Sequence, residues 1–494
     1  MSSKAFSKSL HGLLEETAHS HPQKTALIFG NQTLCYARLD EVANQFANML
    51  LEYGVRKGDR VALYMPNGAA FVVAFFGVLK AGGVVSAISS LYREREVEVQ
   101  LADSGAKVIV TLGSLESTVA KTKTQTPLRH IIAVSVDDFI FSGLISGCSN
   151  QKPALTVTAE DLAALQYTGG TTGTPKAAML THHNLTANAN QFAETIKATT
   201  DDVFLTALPL FHIYGLTTSL TVPIKVGAKM VFLPKFEPQK ALEAIQRHKV
   251  TVFCGVPTMY QLLLGQPDLG MHDLTSVRVC ISGASALPPQ VQKQFMAVSG
   301  GFLAEGYGLT EASPVTHCNP VDKGQLHVGS IGLPLPDTEA RIVDLETGTR
   351  VLGVGEVGEL MVKGPQVMLG YWRRPEETAL VLHDGWLLTG DIARKEQDGY
   401  YYIVDRKKDL IKHNGFSIYP RELEDVFYEH PTVKLCTVVA KPDSRTGEVP
   451  KAYVVLKEAT EATCEELLAF VNGKVASYKE IRDLEFRNEL PVSG

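Results

Sequence analysis

Short apolar runs separated by helix-length segments constrain this chain more than any other feature. Val84–Ile88, Val108–Val110, Leu162–Gln166, Val250–Val256 and Val277–Ser282 are too short for helices, and the last two carry Gly or Ser near their ends. Arg93–Ser104, charged, and Asn184–Lys197 have helical patterns. Buried strands alternating with helices give α/β layers with a partly parallel sheet. Residues Leu10–Asn48 mix helical periodicity with a short strand pattern, Gly58–Met65 reads as a turn and strand, and Ser142–Pro153 reads as a polar surface linker.

The longest apolar run, Ala69–Leu79, is about half of the ~20 residues a membrane-spanning helix needs, so it reads as a buried helix. Met1–Leu10 lacks the apolar core of a signal peptide. At 494 residues the chain exceeds what one core supports, so at least two domains are expected. From Gly329 the pattern turns β-rich: Glu339–Asp344, Gly358–Lys363 and Gly399–Val404 are separated by turn signals. Beyond Asp405–Lys408 comes a small α+β unit. Its first helix opens at Pro420 and puts Leu423, Val426 and Phe427 on one face, strands are expected at Lys434–Ala440 and Ala452–Leu456, and a second helix near Glu465–Val475. The expected architecture is a large N-terminal α/β domain over 1–404 with layered sheets and a β-rich subdomain. A hinge at 405–408 and a small mobile C-terminal α+β domain over 409–494 complete it.

The formal net charge of −6 provides no basic field for nucleic acid. Seven dispersed cysteines without a C-x-x-C pair favour reduced thiols and a cytoplasmic protein over a disulfide or zinc framework. Peripheral contact with a membrane surface stays open, as does oligomeric state.

One stretch points to chemistry. Tyr167–Lys176 reads YTGGTTGTPK, placing Gly169, Gly170 and Gly173 among Thr168, Thr171, Thr172 and Thr174 before Pro175 and Lys176. Glycines let backbone approach a ligand closely, and successive N–H groups in such turns bind anions. Hydroxyls and the lysine ammonium complete a phosphate cradle. Composition alone does not separate this from a surface turn, and the Walker A spacing is absent. The stretch resembles the signature of the adenylate-forming superfamily: acyl-CoA synthetases, luciferases and peptide-synthetase adenylation domains. The paired Gly169–Gly170 is similar to the fatty-acyl-CoA synthetase branch, as are Gly329–Asp337 (GSIGLPLPD) and Val362–Tyr371 (VKGPQVMLGY). Ala177 stands where the family usually has glycine.

The resemblance implies ATP, Mg²⁺ and CoA as cofactors and a small-molecule carboxylic acid as substrate, and it assigns residues. His212, in LPLFHIYG, would orient the acid. Gly283, Ala284 and Ser285 would border adenine, with Glu305, Gly306, Tyr307 and Gly308 continuing the nucleotide wall and Tyr307 stacking on the purine. Thr310 would reach the α-phosphate and Glu311 would hold Mg²⁺, a cation that prefers oxygen ligands. Asp391, in WLLTGD, would take the ribose hydroxyls, Arg406 would contact ribose or phosphate, and Ile403 would border the nucleotide. Lys408 matches the hinge about which the family's small domain turns between half-reactions. Lys412, Asn414, Gly415 and Phe416 would then help form the CoA tunnel. The charge run around Lys407 and Asp409 reads as a solvated face.

The family carries one more lysine in its last core motif. The sequence reads NELPVSG over Asn488–Gly494 where that motif begins, and Lys474 and Lys479 come too early to match it. Removing a positioned electrostatic group costs roughly 10²–10³ in rate, so slow adenylation is expected, with supplied acyl-adenylate still converted to thioester. The implied activity is an AMP-forming acid–CoA ligase. The alternatives are a ligase loading a carrier protein, or a nucleotide- or acyl-binding form without turnover. Apolar Val222, Val226, Val256 and Met259 fit a medium or long acyl chain, and the lack of a nearby arginine disfavours dicarboxylic acids.

Overall fold

The parallel strands form as the apolar runs anticipate, and the computed structural model arranges them in two sheets of the first of two compact units. It describes residues 8–490 except 136–137, 139, 169–174, 323, 414–415 and 444. The first unit comprises 1–339 and 363–387; the second comprises 340–362 and 388–494.

In the first unit, a six-stranded sheet runs in the order His130–Val134, Val108–Leu112, Arg60–Tyr64, Val84–Ile88, Leu162–Thr168 and Lys176–Thr181. Its neighbours are parallel until the last pair, an antiparallel hairpin whose register sets Thr168 opposite Lys176. The nine-stranded sheet places Phe302–Gly308, Val279–Ser282, Val252–Gly255, Val203–Thr206, Lys229–Phe232 and Thr25–Phe29 side by side in parallel. Antiparallel strands flank that parallel core at both ends: Val315–Cys318 then Leu333–Pro334, and Gln32–Cys35. Loops leaving the carboxyl ends of parallel strands emerge on one rim, the usual place for ligands in such sheets. Val256, Gly283–Ser285 and Leu309–Glu311 all follow strands of this set.

The helix Ala69–Lys80 is buried at every position, as an all-apolar helix must be. Its last residue brings an ammonium into the interior, where Lys80 Nζ lies 2.8 Å from Glu15 and 2.9 Å from Asp40. A buried cation needs such partners. The stretch expected as a plain linker is more ordered: Ser142–Ile145 is a helical turn, with Phe141 and Ile145 buried. Ile145 within the stretch and Phe141 just before it anchor its first turn.

In the second unit, residues 340–343, 357–362, 388–395 and 401–406 belong to strands of one sheet. Thr389–Asp391 is therefore not a free turn. It lies within a strand, and Gly390 takes the left-handed φ of 76° that glycine accommodates. A second sheet joins Phe416–Ile418, Ile411–His413, Gly447–Leu456 and Val433–Asp443, and Asp483–Phe486 adds parallel to Gly447–Leu456. The helices Pro420–Tyr428 and Cys464–Asn472 cover it through Leu423, Phe427, Leu467 and Val471. That last strand had no signal in the sequence reading.

Candidate functional site

The phosphate-cradle candidate is framed by the hairpin. Thr168 closes one strand, Lys176 opens the next, and Thr168 Oγ1 donates to Lys176 O at 3.4 Å. Gly169, Gly170, Thr171, Thr172, Gly173 and Thr174 lie outside the described residues.

Residues 368–372 run beside the second of these strands. Met179 N–H donates to Gly370 O, Leu369 N–H to Met179 O and Trp372 N–H to Ala177 O, at 2.8 to 3.0 Å. Tyr371, which bridges Ala178 in this segment, points its ring toward two site candidates. Its phenol O–H donates to Glu311 Oε1 at 2.7 Å, and Lys176 Nζ sits 5.3 Å from the ring centroid. That separation suits a cation held over an aromatic face. Burial, reinforced by the Glu311 charge, pushes the Tyr371 phenol up from its ordinary value, so it stays a donor. The backbone fixes Glu311 as well: Met368 N–H donates to Glu311 O at 2.8 Å.

The adenine-wall candidates sit on adjacent strands. Ser282 pairs with Glu305, so Gly283–Ser285 leaves the sheet beside Gly306–Gly308. Gly283 is buried, whereas Ala284 and Ser285 are exposed. Tyr307 packs edge-on to the buried His317, with centroids 6.0 Å apart. Gly308 has no substitute: a Cβ there would lie 2.1 Å from Pro314 O. Thr310 and Glu311 follow in a short 3₁₀ turn, Thr310–Ala312.

His212 caps the turn Ile213–Leu216. Its Nδ1 accepts the Tyr214 N–H at 3.2 Å, which leaves the proton on Nε2. Desolvation lowers its pKa although the side chain is reachable from solvent, as for a ring lining a recess. A neutral imidazole with an outward N–H can donate to a carboxylate. Nearby in sequence, Val222 is fully buried in the helix Val222–Val226 and Met259 is buried in Pro257–Leu264.

The second unit holds the ribose candidates. Asp391 and Arg406 are cross-strand partners, with Arg406 Nε 3.6 Å from Asp391 Oδ1. The arginine side chain is 58% exposed and the aspartate 15%, so the cation is the partner free to reorient. Ile403 pairs with Ala393 in the same ladder. Lys408 is exposed in the turn Lys407–Asp409. Lys412 is exposed too, its Nζ donating to Ser417 Oγ at 3.0 Å and its N–H to Glu448 Oε2 at 2.7 Å. Asn414 and Gly415 lie outside the described residues; the backbone of Phe416 pairs with His413.

Two residues escaped the sequence reading. Tyr371 had one usable sign, a hydroxyl inside an apolar run that needs a partner when buried. Glu359 had another, an acid inside the apolar strand Val357–Lys363. Its buried carboxylate accepts Gly390 N–H at 3.0 Å on one oxygen and Lys407 Nζ at 2.7 Å on the other. Lys407 is thus an anchored cation, whereas its charge run alone reads as a solvated face.

Among the described residues no cluster of three or more His, Cys, Asp or Glu could hold a metal. A single carboxylate at Glu311 fits Mg²⁺, which keeps waters and binds through one or two carboxylates together with substrate phosphates. No helix of the described residues is long and apolar enough to cross a membrane.

Comparison with known proteins establishes the family. Residues 14–372 match the family model of the AMP-binding enzymes, and residues 422–494 match that of the AMP-binding enzyme C-terminal domain. A long-chain-fatty-acid–CoA ligase of Bacillus subtilis (strain 168) is 43% identical over 99% of this chain and 92% of its own length. One from Salmonella typhimurium is 38% identical over 99% of this chain and 92% of its own. The crystal structure of ATP-bound MatB from Rhodopseudomonas palustris superposes with a TM-score of 0.91 at 32% identity, covering 98% of this chain and 96% of that one.

Proposed function

We propose a working account from one premise: this chain belongs to the AMP-binding enzyme family and is an ATP-dependent, AMP-forming acid–CoA ligase. A carboxylate attacks the α-phosphate of ATP, forming acyl-adenylate and pyrophosphate. The CoA thiol then attacks the acyl carbonyl, forming thioester and releasing AMP.

The first step brings two anions together, and their repulsion is what the site must offset. Lys176 and the Gly/Thr loop take the triphosphate, Thr310 donates to the α-phosphate, and His212 Nε2–H orients the acid. Glu311 would hold Mg²⁺, which would supply positive charge against the phosphates. Asp391 accepts from the ribose hydroxyls beside Arg406. Fixing both reactants in one geometry can substitute for effective concentrations of about 10⁵ M or more. No side chain need become a covalent intermediate. Lys408 is the hinge and 409–494 the moving domain in this reading, with Lys412, Asn414, Gly415 and Phe416 taking CoA in the second step. Cytoplasmic location fits the soluble substrates ATP and CoA.

The acid is a long-chain fatty acid. Both similar ligases carry that substrate in their names, and the apolar Val222, Val226, Val256 and Met259 present nothing to fix a second carboxylate. The observation that carries the account is the convergence of Lys176 and Glu311 on Tyr371: a phosphate-loop lysine and a cation-binding carboxylate face one ring. A panel of graded acids tests it, with acid-dependent ATP–pyrophosphate exchange and CoA-dependent AMP release as readouts. Both signals should rise toward long chains. Nucleotide cleavage to ADP, or AMP release indifferent to CoA, would refute it.

A further inference from the structure

Tyr371 is built into the fold at both ends. Its own N–H donates to Thr378 Oγ1 at 2.9 Å, and that hydroxyl donates to Arg374 O at 2.7 Å, closing the turn behind it. The next residues are tied to Asp103. Trp372 Nε1–H donates to Asp103 O and Arg374 Nη2–H to Asp103 Oδ1, both at 3.1 Å. The other oxygen, Oδ2, accepts the Tyr167 O–H at 2.7 Å. Tyr167 stands just before the glycine-threonine loop and Lys176 just after it. One strap, 368–374, therefore holds both flanks of the loop: Tyr167 through Asp103, and Lys176 through the Tyr371 ring and the backbone pairing of Ala177–Met179 that follows it.

Resting on the ATP-binding reading above, we propose that Tyr371 is a positioning residue for the metal–triphosphate substrate, its hydroxyl aiming the Glu311 carboxylate and its ring seating the Lys176 ammonium. The two contacts use different parts of the side chain, so they separate chemically. A carboxylate turns freely about its last torsion, and a hydrogen bond from a fixed phenol holds one oxygen and sets the plane of the group. A lysine ammonium on a flexible stem needs a platform to meet a phosphate without first losing rotamer freedom, and a ring face provides one. Packing alone would make the whole side chain matter and the hydroxyl matter little.

The test compares wild type, Tyr371→Phe and Tyr371→Leu for ATP binding by calorimetry in EDTA, and for Mn²⁺ binding to the ATP complex by electron paramagnetic resonance. Tyr371→Phe keeps the ring, so metal-free ATP affinity should be unchanged while Mn²⁺ affinity of the ATP complex falls about tenfold, the effect of one charge-assisted hydrogen bond. Tyr371→Leu should weaken metal-free ATP as well, by about three- to tenfold. The proposal fails if Tyr371→Phe holds Mn²⁺ as tightly as wild type, or if the two variants weaken metal-free and metal-bound nucleotide alike. A wild-type protein that bound neither form would overturn the nucleotide reading itself, and this inference with it.

Discussion

The two units treat their charged candidates in opposite ways. In the first, Lys176 and Glu311 are pinned: each starts or follows a strand, and each meets Tyr371. In the second, the Arg406 side chain is 58% exposed and only 3.6 Å from its carboxylate partner, and Lys412 is exposed on a short strand. Groups that receive a polyphosphate gain from being set before the ligand arrives, because ordering them later subtracts from binding. Groups that serve two half-reactions gain from exchanging partners. The exception sharpens the contrast. Glu359 and Lys407 form a tight pair inside the second unit, next to the loosely held arginine.

The comparison breaks first at Glu311. Glu311→Gln keeps an acceptor oxygen for Tyr371 and removes the charge, so pyrophosphate exchange should fall by roughly 10²–10³ at fixed Mg²⁺. A fall below threefold would mean that the pinned carboxylate does not serve the reaction.

Acid should separate the units next. His11 and His182 pack edge to face in the first unit, their pKa values lowered to about 3 and about 4, chiefly by burial. Below pH 6.5 the unfolded chain takes up protons that the folded histidines refuse, so stability declines as pH falls toward 4, by up to about 3 kcal/mol for each group. In the helix Pro420–Tyr428, burial instead raises the Glu424 and Asp425 values. There the folded form binds the extra proton, so mild acid favours it. Between pH 7 and 4.5, amide protection factors, corrected for the intrinsic exchange rate, should therefore fall in Leu10–Ser20 while Pro420–Tyr428 keeps its protection. Equal loss in both helices would erase the contrast.

Lys407→Met is the third test. It leaves the Glu359 carboxylate buried with Gly390 N–H as its remaining named partner, and should cost about 2 kcal/mol in urea unfolding of the full chain. Glu359→Gln in the same background should recover part of that loss, because the uncompensated charge is gone. If Lys407→Met is silent, the pair is no tighter than its exposed neighbours.

The smallest effect is expected at Lys412. Lys412→Ala should slow thioester formation from supplied acyl-adenylate about tenfold, the scale of one charge-assisted contact, while pyrophosphate exchange holds. Equal slowing of both half-reactions would show that the exposed lysine does not divide them.

The sequence disclosed whatever is local. Apolar runs such as Val84–Ile88 became strands over the expected residues, and Leu423 and Phe427 entered a core because their spacing put them on one helical face. Spacing could not disclose partners far apart in the chain. Nothing near Lys80 announces that Glu15 and Asp40 will meet it, and nothing near Glu359 announces Lys407. Trp386–Lys395 was hidden for a different reason. Thr-Gly-Asp is turn chemistry, and only pairing with Tyr401–Arg406 keeps it extended. At the site, family likeness rather than composition singled out the glycine-threonine stretch and Lys176. Tyr371 was not, because its importance comes from two neighbours that the fold delivers.

The rim of the nine-stranded sheet has a consequence for how such a ligase can diversify. Val256 and Met259 follow one parallel strand, whereas Gly283–Ser285 and Thr310–Glu311 hang from the next two, and the registers beneath join backbone to backbone. On the proposed assignment, taste for a new acid can drift through side chains after the first strand without rewriting the machinery that burns nucleotide, much as a lock is recut while its bolt stays in the door.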